Sequence, residues 1–405
     1  MSVFRRDFLR GLGSLAIATS PGFLMAQSSR LSVGVVGGGI VGASVALHLA
    51  QAGASVTVFE KASPSSGATS KSFAWLNAGS ENSHYRELRL RSLSAYHELD
   101  KQLQLDITWG GYLTWENEPA AAADLRASAL RFDRGGYRMK VLSAKDFAAI
   151  APNMTPGSFE TAVYGGLDGH LDPVGVTNKF LDRARQHGAR VLYPCEVTDL
   201  ELTDDRLTSV VTTQGKFALD RLVIASGVDT PEIAAKVGFD APLKHAPGIL
   251  AHSAPLSPGI RTVNYGPGIH FKQMTNGTIV AGDSTYAPDT PVHQEILRER
   301  RDFPDQEMRN MHGSRILEKV ASVLPSARDA RLDRLTLGFR PLPVDDFPMV
   351  GFVPGSPDVY IAVMHSGVTL APIMGRMISN EILDDVAVDT LDPYRPERFA
   401  AEPGV

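Results

Sequence analysis

The chain has a single cysteine, Cys195, in 405 residues. One thiol excludes an internal disulfide and a cysteine-rich metal site. The surrounding run from Val191 to Val197 is apolar, which reads Cys195 as a small buried side chain. Long apolar runs are missing too. The stretch from Gly11 to Ala26 is shorter and less apolar than the roughly 20 residues of a membrane-spanning helix. No basic domain or patch stands out and the formal net charge is −5, so nothing points to nucleic acid. His, Asp and Glu are scattered without ligand spacing, so no metal is expected. Internal repeats and low-complexity tracts are missing, apart from an alanine-rich patch near Ala120.

What is there reads as an ordinary globular chain, 43% hydrophobic and 21% charged. At about 150 residues per domain the length suggests two or three domains, enough to bury a core and a cofactor. The first residues read MSVFRRDFLR and then GLGSLAIATSPGFLMA. Paired Arg5 and Arg6 ahead of a Gly- and Ala-rich apolar stretch resemble a twin-arginine export signal, with a cleavage edge at Ala26 or, alternatively, an uncleaved anchor. Residues 1–26 are therefore expected to be an address outside the fold. The mature protein is expected to be exported folded through the twin-arginine translocation machinery to the periplasm. A chain with one cysteine needs no oxidising compartment in which to fold.

Leu31 to Val36 reads as a buried strand, Gly37 to Gly42 as a turn, Ala43 to Ala52 as a helix and Ala54 to Glu60 as a second strand. Together they form a βαβ unit. Helices are expected over 83–104, 120–135, 143–150, 172–187, 296–301, 314–323 and 371–383. The segment 189–197 reads as a strand, followed by a small meander to Leu219. Arg221 to Ala225 is a near-continuous apolar strand, as expected in a buried parallel sheet. Segments 248–251, 269–274 and 278–282 alternate like antiparallel strands, while 334–340 and 359–363 read as further strands. The tail from Asp389 is expected to be irregular. The fold class is therefore α/β: a discontinuous Rossmann-like nucleotide-binding domain (30–105, 168–230 and 336–388), a mixed-sheet α+β cap domain (106–167 and 231–335) and a tail (389–405).

Gly37-Gly38-Gly39-Ile40-Val41-Gly42 fits G-x-G-x-x-G, placed after a strand and opening a helix. Gly37 suits the tight turn, Gly39 the close approach of a pyrophosphate, and Gly42 close helix–strand packing. The N–H groups near Ile40 and Val41, at the helix N-terminus, suit phosphate oxygens. Glu60 ends the second strand about 20 residues on, where a carboxylate accepts the ribose hydroxyls and disfavours NADP. The fingerprint alone does not choose between FAD and NAD.

Four further segments do. They are Glu60-Lys61 with Ser66-Gly67-Ala68-Thr69-Ser70; Gly169 to Pro173 with Gly188 to Val191 and Glu196-Val197; Leu222 to Gly227; and Gly338-Phe339-Arg340-Pro341 with Asp345 to Gly351 and His365 to Pro372. Together they resemble the D-amino-acid oxidase-type FAD-dependent oxidoreductases, which include glycine oxidases, sarcosine oxidases and D-amino-acid dehydrogenases. The resemblance runs from about Leu31 to Asp385. It implies FAD as cofactor, with Ala68, Thr69 and Ser70 beside the phosphates and ribityl chain, Val197 at the adenine, and Ala225 and Gly227 passing close to the cofactor. It implies that Gly367, Val368 and Thr369 face the flavin ring, with His365 beside them, and that Arg340 holds a substrate carboxylate; a structural ion pair is the other reading of Arg340. Cys195 is wrongly placed for a covalent flavin and the Ser70-Lys71-Ser72 stretch has no His, so non-covalent FAD is expected. The family chemistry implies hydride transfer from an amino acid or amine to flavin N5, giving an imine that hydrolyses to an oxo acid. The electron acceptor is oxygen or a quinone. An accessory FAD-binding subunit of a multi-chain dehydrogenase is the alternative. His270 and Lys272, two apart on a cap strand, are read as a solvent-facing pair or as one group placed over the flavin. Trp75 is read as core or as part of the pocket wall.

Overall fold

In this computed structural model residues 30–283, 290–300 and 302–400 are described, so the expected export signal over residues 1–26 lies outside the described residues. Residues from Leu31 onward cluster as one unit.

The βαβ unit forms as its pattern dictates. Ser32–Val36 and Ser55–Phe59 pair in parallel, and the helix α1 (Ile40–Gln51) crosses between them. Ser32–Val36 also pairs in parallel with Arg221–Ile224, which pairs in turn with Ser356–Val363. Arg190–Leu192 extends the other edge, and Met349–Val353 adds one antiparallel edge strand. Strand order reverses on either side of Ser32–Val36, so the turn at Gly37 opens at the crevice where such sheets take their ligands. Both faces of the sheet are covered. Val33, Val35, Val223 and Ala362 pack on the helix side, whereas Leu222, Ile224, Ile361 and Val363 pack with the three-stranded meander. Double coverage explains why these strands read as continuous apolar runs rather than as alternations.

The helices that follow in the chain are α2 (Ser83–Leu103), α3 (Pro119–Arg134), α4 (Ala144–Ile150), α5 (Pro173–Gln186), α6 (Thr230–Ala234), α7 (Pro291–Glu299), α8 (Gln306–Val323) and α9 (Gly367–Asp384). An eight-stranded sheet forms the second layer. Its strands run in the order Leu332–Phe339, Pro247–Ser253, Ile279–Asp283, Ile269–Gln273, Val263–Gly266, Tyr112–Glu116, Thr161–Gly165 and Met139–Leu142. Val263–Gly266 and Tyr112–Glu116 pair in parallel and the other neighbours are antiparallel, giving the mixed sheet expected of the cap. Leu332–Phe339 lies wholly in this sheet, across the expected boundary between 335 and 336. None of the described helices is long and apolar enough to cross a membrane.

The fold differs from the sequence reading at several element ends, α7 and α8 among them, which start at Pro291 and Gln306 rather than at 296 and 314. The expected strand 189–197 stops at Leu192, because Pro194 offers no ladder donor, and Val197 starts the meander strand Val197–Thr203. The helix expected from Ala371 begins at Gly367, four residues ahead of that point. Pro372 lies inside it and gives no N–H to the Val368 carbonyl, which instead accepts the Tyr96 hydroxyl at 2.5 Å. The tail is not irregular over Asp389–Phe399. It makes two 3₁₀ segments that bury Leu391 and Tyr394, and Arg395 forms an ion pair with the buried carboxylate of Glu381 at 2.6 Å.

Candidate functional site

A cavity of about 1150 Å³ opens between the two sheets. Ordinary small-molecule sites occupy about 300–1,000 Å³, so this one has room for more than a single small ligand. Gly37, Gly39, Ile40, Val41, Glu60, Lys61, Ala68, Thr69, Val197, Ala225, Gly227, Arg340, His365, Gly367, Val368 and Thr369 all line it. Gly42 and Ser70, named as cofactor residues from sequence, are not on its wall. A Cβ at Gly42 would lie 2.1 Å from the Gly37 carbonyl oxygen, so Gly42 serves the packing of α1 on its turn. Ser70 turns back into its own loop, donating to the Gly67 carbonyl at 3.4 Å. Cys195 is buried as expected, and it also touches the cavity, where its N–H donates to the Glu60 carbonyl.

The first half of the cavity is built for a dinucleotide. Gly37 takes φ +106°, and a Cβ there would meet the Ala225 carbonyl at 2.5 Å. Gly39 N-caps α1 without a side chain to cover the helix end. The Ile40 N–H at that end donates to Thr69 Oγ1 at 3.1 Å, so helix N-terminus and hydroxyl loop meet where a phosphate would bind both. Glu60 is held by two backbone donors, Gly38 N–H at 2.7 Å and Ala62 N–H at 2.9 Å. Those bonds fix the carboxylate at the strand end and leave acceptor capacity on both oxygens. The residues present therefore fit a bound dinucleotide such as FAD.

The wall at α9 is held from behind by α2. Arg89, Ser92 and Tyr96 lie three and four residues apart on one helix face. Arg89 Nη2 donates to Ser366 Oγ at 2.8 Å, Ser92 to the Thr369 carbonyl at 2.6 Å and Tyr96 to the Val368 carbonyl. Three polar groups on an otherwise apolar stripe thus lock the first turn of α9 against the cavity, with its uncapped N–H groups at Gly367, Val368 and Thr369. An arginine at a core position of an amphipathic helix was the signal in the sequence, and it was overlooked.

Arg340 is the central cation of the second half. Its Nε donates to the Ala246 carbonyl at 3.2 Å and Nη2 to the Pro247 carbonyl at 3.2 Å. A guanidinium has five N–H donors, so the fork is anchored while donors remain for a ligand. Arg340 makes no ion pair among the described residues. His365 is open to the same cavity. Burial, then the charges of Arg340 and Arg89, push its imidazole down to about 4. His270 also lines the cavity, stacked on Tyr265 with centroids 4.8 Å apart, and burial brings it to about 4. Both rings are neutral at physiological pH. Trp75 lines the cavity and donates its Nε1 to Asp168 at 2.7 Å. Asp168 also accepts the Tyr137 hydroxyl at 2.6 Å, and burial raises its carboxyl to about 7.

Lys272 and His270 are not a solvent-facing pair. Lys272 is 1% exposed, and its Nζ donates to the carbonyls of Ala74 at 3.3 Å and Leu171 at 3.2 Å. Burial lowers its pKa from 10.5 to about 7. Between these values the unfolded chain holds a proton that the folded chain lacks, so this residue's contribution to stability falls as pH drops from about 10.5 to 7 and then levels off. The melting temperature of Lys272→Met minus that of the wild type should accordingly be larger at about pH 7 than at about pH 10. A difference that does not change with pH would contradict a buried neutral amine.

Among the described residues no group of three His, Cys, Asp or Glu side chains is arranged to hold a metal. Residues 32–381 match the family described as DAO, FAD dependent oxidoreductase. The chain belongs to this family. Glycine oxidase of Bacillus licheniformis is 26% identical over 388 residues, covering 91% of this chain and 97% of the relative. An opine oxidase subunit of Agrobacterium tumefaciens (strain Ach5) is 24% identical over 395 residues, 92% of this chain and 98% of the relative. Mitochondrial dimethylglycine dehydrogenase of Mus musculus is 28% identical over 263 residues, and the match spans only 29% of that longer relative. Among solved structures, L-proline dehydrogenase from P. horikoshii superimposes with a TM-score of 0.81 at 22% identity, covering 92% of this chain and 98% of the other. The DAO family fold, an FAD domain joined to a mixed-sheet substrate domain, is thus the fold of this chain.

Proposed function

We propose that this enzyme oxidises the C–N bond of an amino acid or related amine. The observation that carries the reading is Arg340, a guanidinium anchored by two backbone carbonyls, without a carboxylate partner among the described residues, in the same cavity as the glycine cradle. Gly37, Gly39, Ile40 and Thr69 would hold the pyrophosphate of FAD, Glu60 the ribose, and the first turn of α9 the ring. When bound, FAD supplies a two-electron oxidation by accepting a hydride from the carbon that bears nitrogen. Arg340 binds the substrate carboxylate through parallel hydrogen bonds and so fixes the orientation of that carbon. The neutral rings of His365 and His270 add no positive charge next to the amine. The imine leaves the cavity and is hydrolysed to an oxo acid and ammonia or an amine. The names of the full-length relatives, a glycine oxidase and an opine oxidase subunit, support this substrate class. Product analysis tests the reading. An amino acid incubated with the FAD-loaded enzyme and an electron acceptor should yield an oxo acid, and a product that keeps its C–N bond would overturn it.

FAD is held here without a covalent bond. The Ser70-Lys71-Ser72 stretch has no His, and Cys195 sits beside Glu60. Oxygen or a membrane quinone takes the electrons away, and oxygen uptake in the presence of substrate separates the two. A second reading rests on the similarity to a relative that is itself named as one subunit of an opine oxidase. In that reading the chain works within a multi-chain dehydrogenase, and turnover by the purified chain alone would exclude it.

The mature enzyme works in the periplasm, carried there by the segment around Arg5 and Arg6. Changing both arginines to Lys should retain the protein in the cytoplasmic fraction; unchanged export would remove this assignment.

A further inference from the structure

One part of the cavity wall is apolar. It is formed by Leu250 and Leu337 from the eight-stranded sheet, Ile296 and Leu297 from α7, Phe303, and Ile316 from α8. All but Leu297 are at least nine-tenths buried. The charged groups among the described residues of this wall form one cluster, two cations on one carboxylate. Arg315 pairs with Asp283 at 3.1 Å, and the same carboxylate takes Lys319 at 2.9 Å. His312 is 1% exposed, stacks on Phe303 with centroids 5.1 Å apart, and meets His293 Nε2 to Nε2 at 3.0 Å. Two imidazoles in that contact share one proton, since one nitrogen donates and the other accepts. Burial, His293 and Arg315 all disfavour a charge on His312.

We infer, on the strength of the function proposed above, that the substrate is an amino acid with a bulky apolar side chain, bound with its carboxylate on Arg340 and its side chain against the wall formed by Leu297, Phe303, Ile316 and Leu337. A glycine-sized substrate leaves that wall uncovered. The charged groups described there, Arg315, Asp283 and Lys319, are already bonded to one another, so a charged end would have to compete with those pairs, whereas an apolar side chain covers the apolar wall. The contact that the described wall offers over most of its area is apolar, from Leu250, Leu337, Ile296, Phe303 and Ile316.

Binding rather than turnover tests this. Calorimetric titration of the FAD-loaded protein with carboxylates that lack an oxidisable amine isolates the pocket. Phenylacetate should bind at least about tenfold more tightly than acetate, from the burial of one ring. Succinate, extended but charged at its far end, should bind no more tightly than acetate. The Leu297→Trp variant, at a half-buried position facing the cavity, should lose most of the preference for phenylacetate while keeping its affinity for acetate. Equal affinities for acetate and phenylacetate, or a preference for succinate, overturn the inference while leaving Arg340 as the carboxylate site. Failure of all three to bind would instead strike at the Arg340 reading itself. The wild-type series decides the matter even if the variant does not fold.

Discussion

Replacing Arg340 with Ala is expected to raise KM for a carboxylate substrate by about two orders of magnitude, since each hydrogen bond to a charged group contributes about 1.5–3 kcal/mol. The geometry makes the loss specific. Two donors of the guanidinium are already committed to the Ala246 and Pro247 carbonyls, so the fork is rigidly presented and a flexible replacement cannot reproduce it. Arg340→Lys should recover only part of the loss, because an ammonium is a point charge without the parallel pair of donors. The folded state should lose only what the two hydrogen bonds to the Ala246 and Pro247 carbonyls contribute, about 1 kcal/mol each, because Arg340 makes no ion pair among the described residues. There is a second consequence. Arg340 is one of the charges that hold His365 and His270 neutral, so its removal should let both imidazoles titrate at higher pH than in the wild type. An unchanged KM would place the carboxylate elsewhere.

The Gly39→Glu variant is expected to fold and yet to be colourless. A Cβ at Gly39 meets only Thr69 Oγ1, at 3.1 Å, so the side chain itself is accommodated with a slight shift. Its carboxylate would lie at the uncapped N-terminus of α1, where the helix favours a negative charge and where the pyrophosphate must bind. FAD affinity should drop by at least about a hundredfold while the far-ultraviolet circular dichroism is retained. Gly39→Ala should be mild by comparison. Normal FAD content in Gly39→Glu would mean that the cofactor does not use this helix end.

Much of the cofactor half was legible in the sequence because its determinants are local. The turn at Gly37, the helix start at Ile40 and the acid at Glu60 lie within one βαβ unit, and each acts through backbone geometry. The strand at Arg221–Ile224 was legible for a different reason, since burial on both faces leaves an uninterrupted apolar run. The catalytic half depends on contacts between distant segments. The core position of Arg89 on its helix is visible in the sequence but its partner Ser366 is not, and the burial of Lys272 is set by Ala74 and Leu171 far along the chain. The start of α9 was misplaced because Pro372 reads as a helix opener. The missing donor is made good by Tyr96, a partner 272 positions away. The charge balance of Asp283, Arg315 and Lys319 likewise emerges only when a strand and a helix meet.

Anaerobic mixing of the FAD-loaded enzyme with an amino acid bearing a bulky apolar side chain tests the central claim most directly. The yellow colour should bleach, an oxo acid should form in an amount equal to the FAD reduced, and acid precipitation should leave the FAD in the supernatant. A protein that takes up no FAD, or one that keeps its colour with every amino acid and amine offered, would contradict the account.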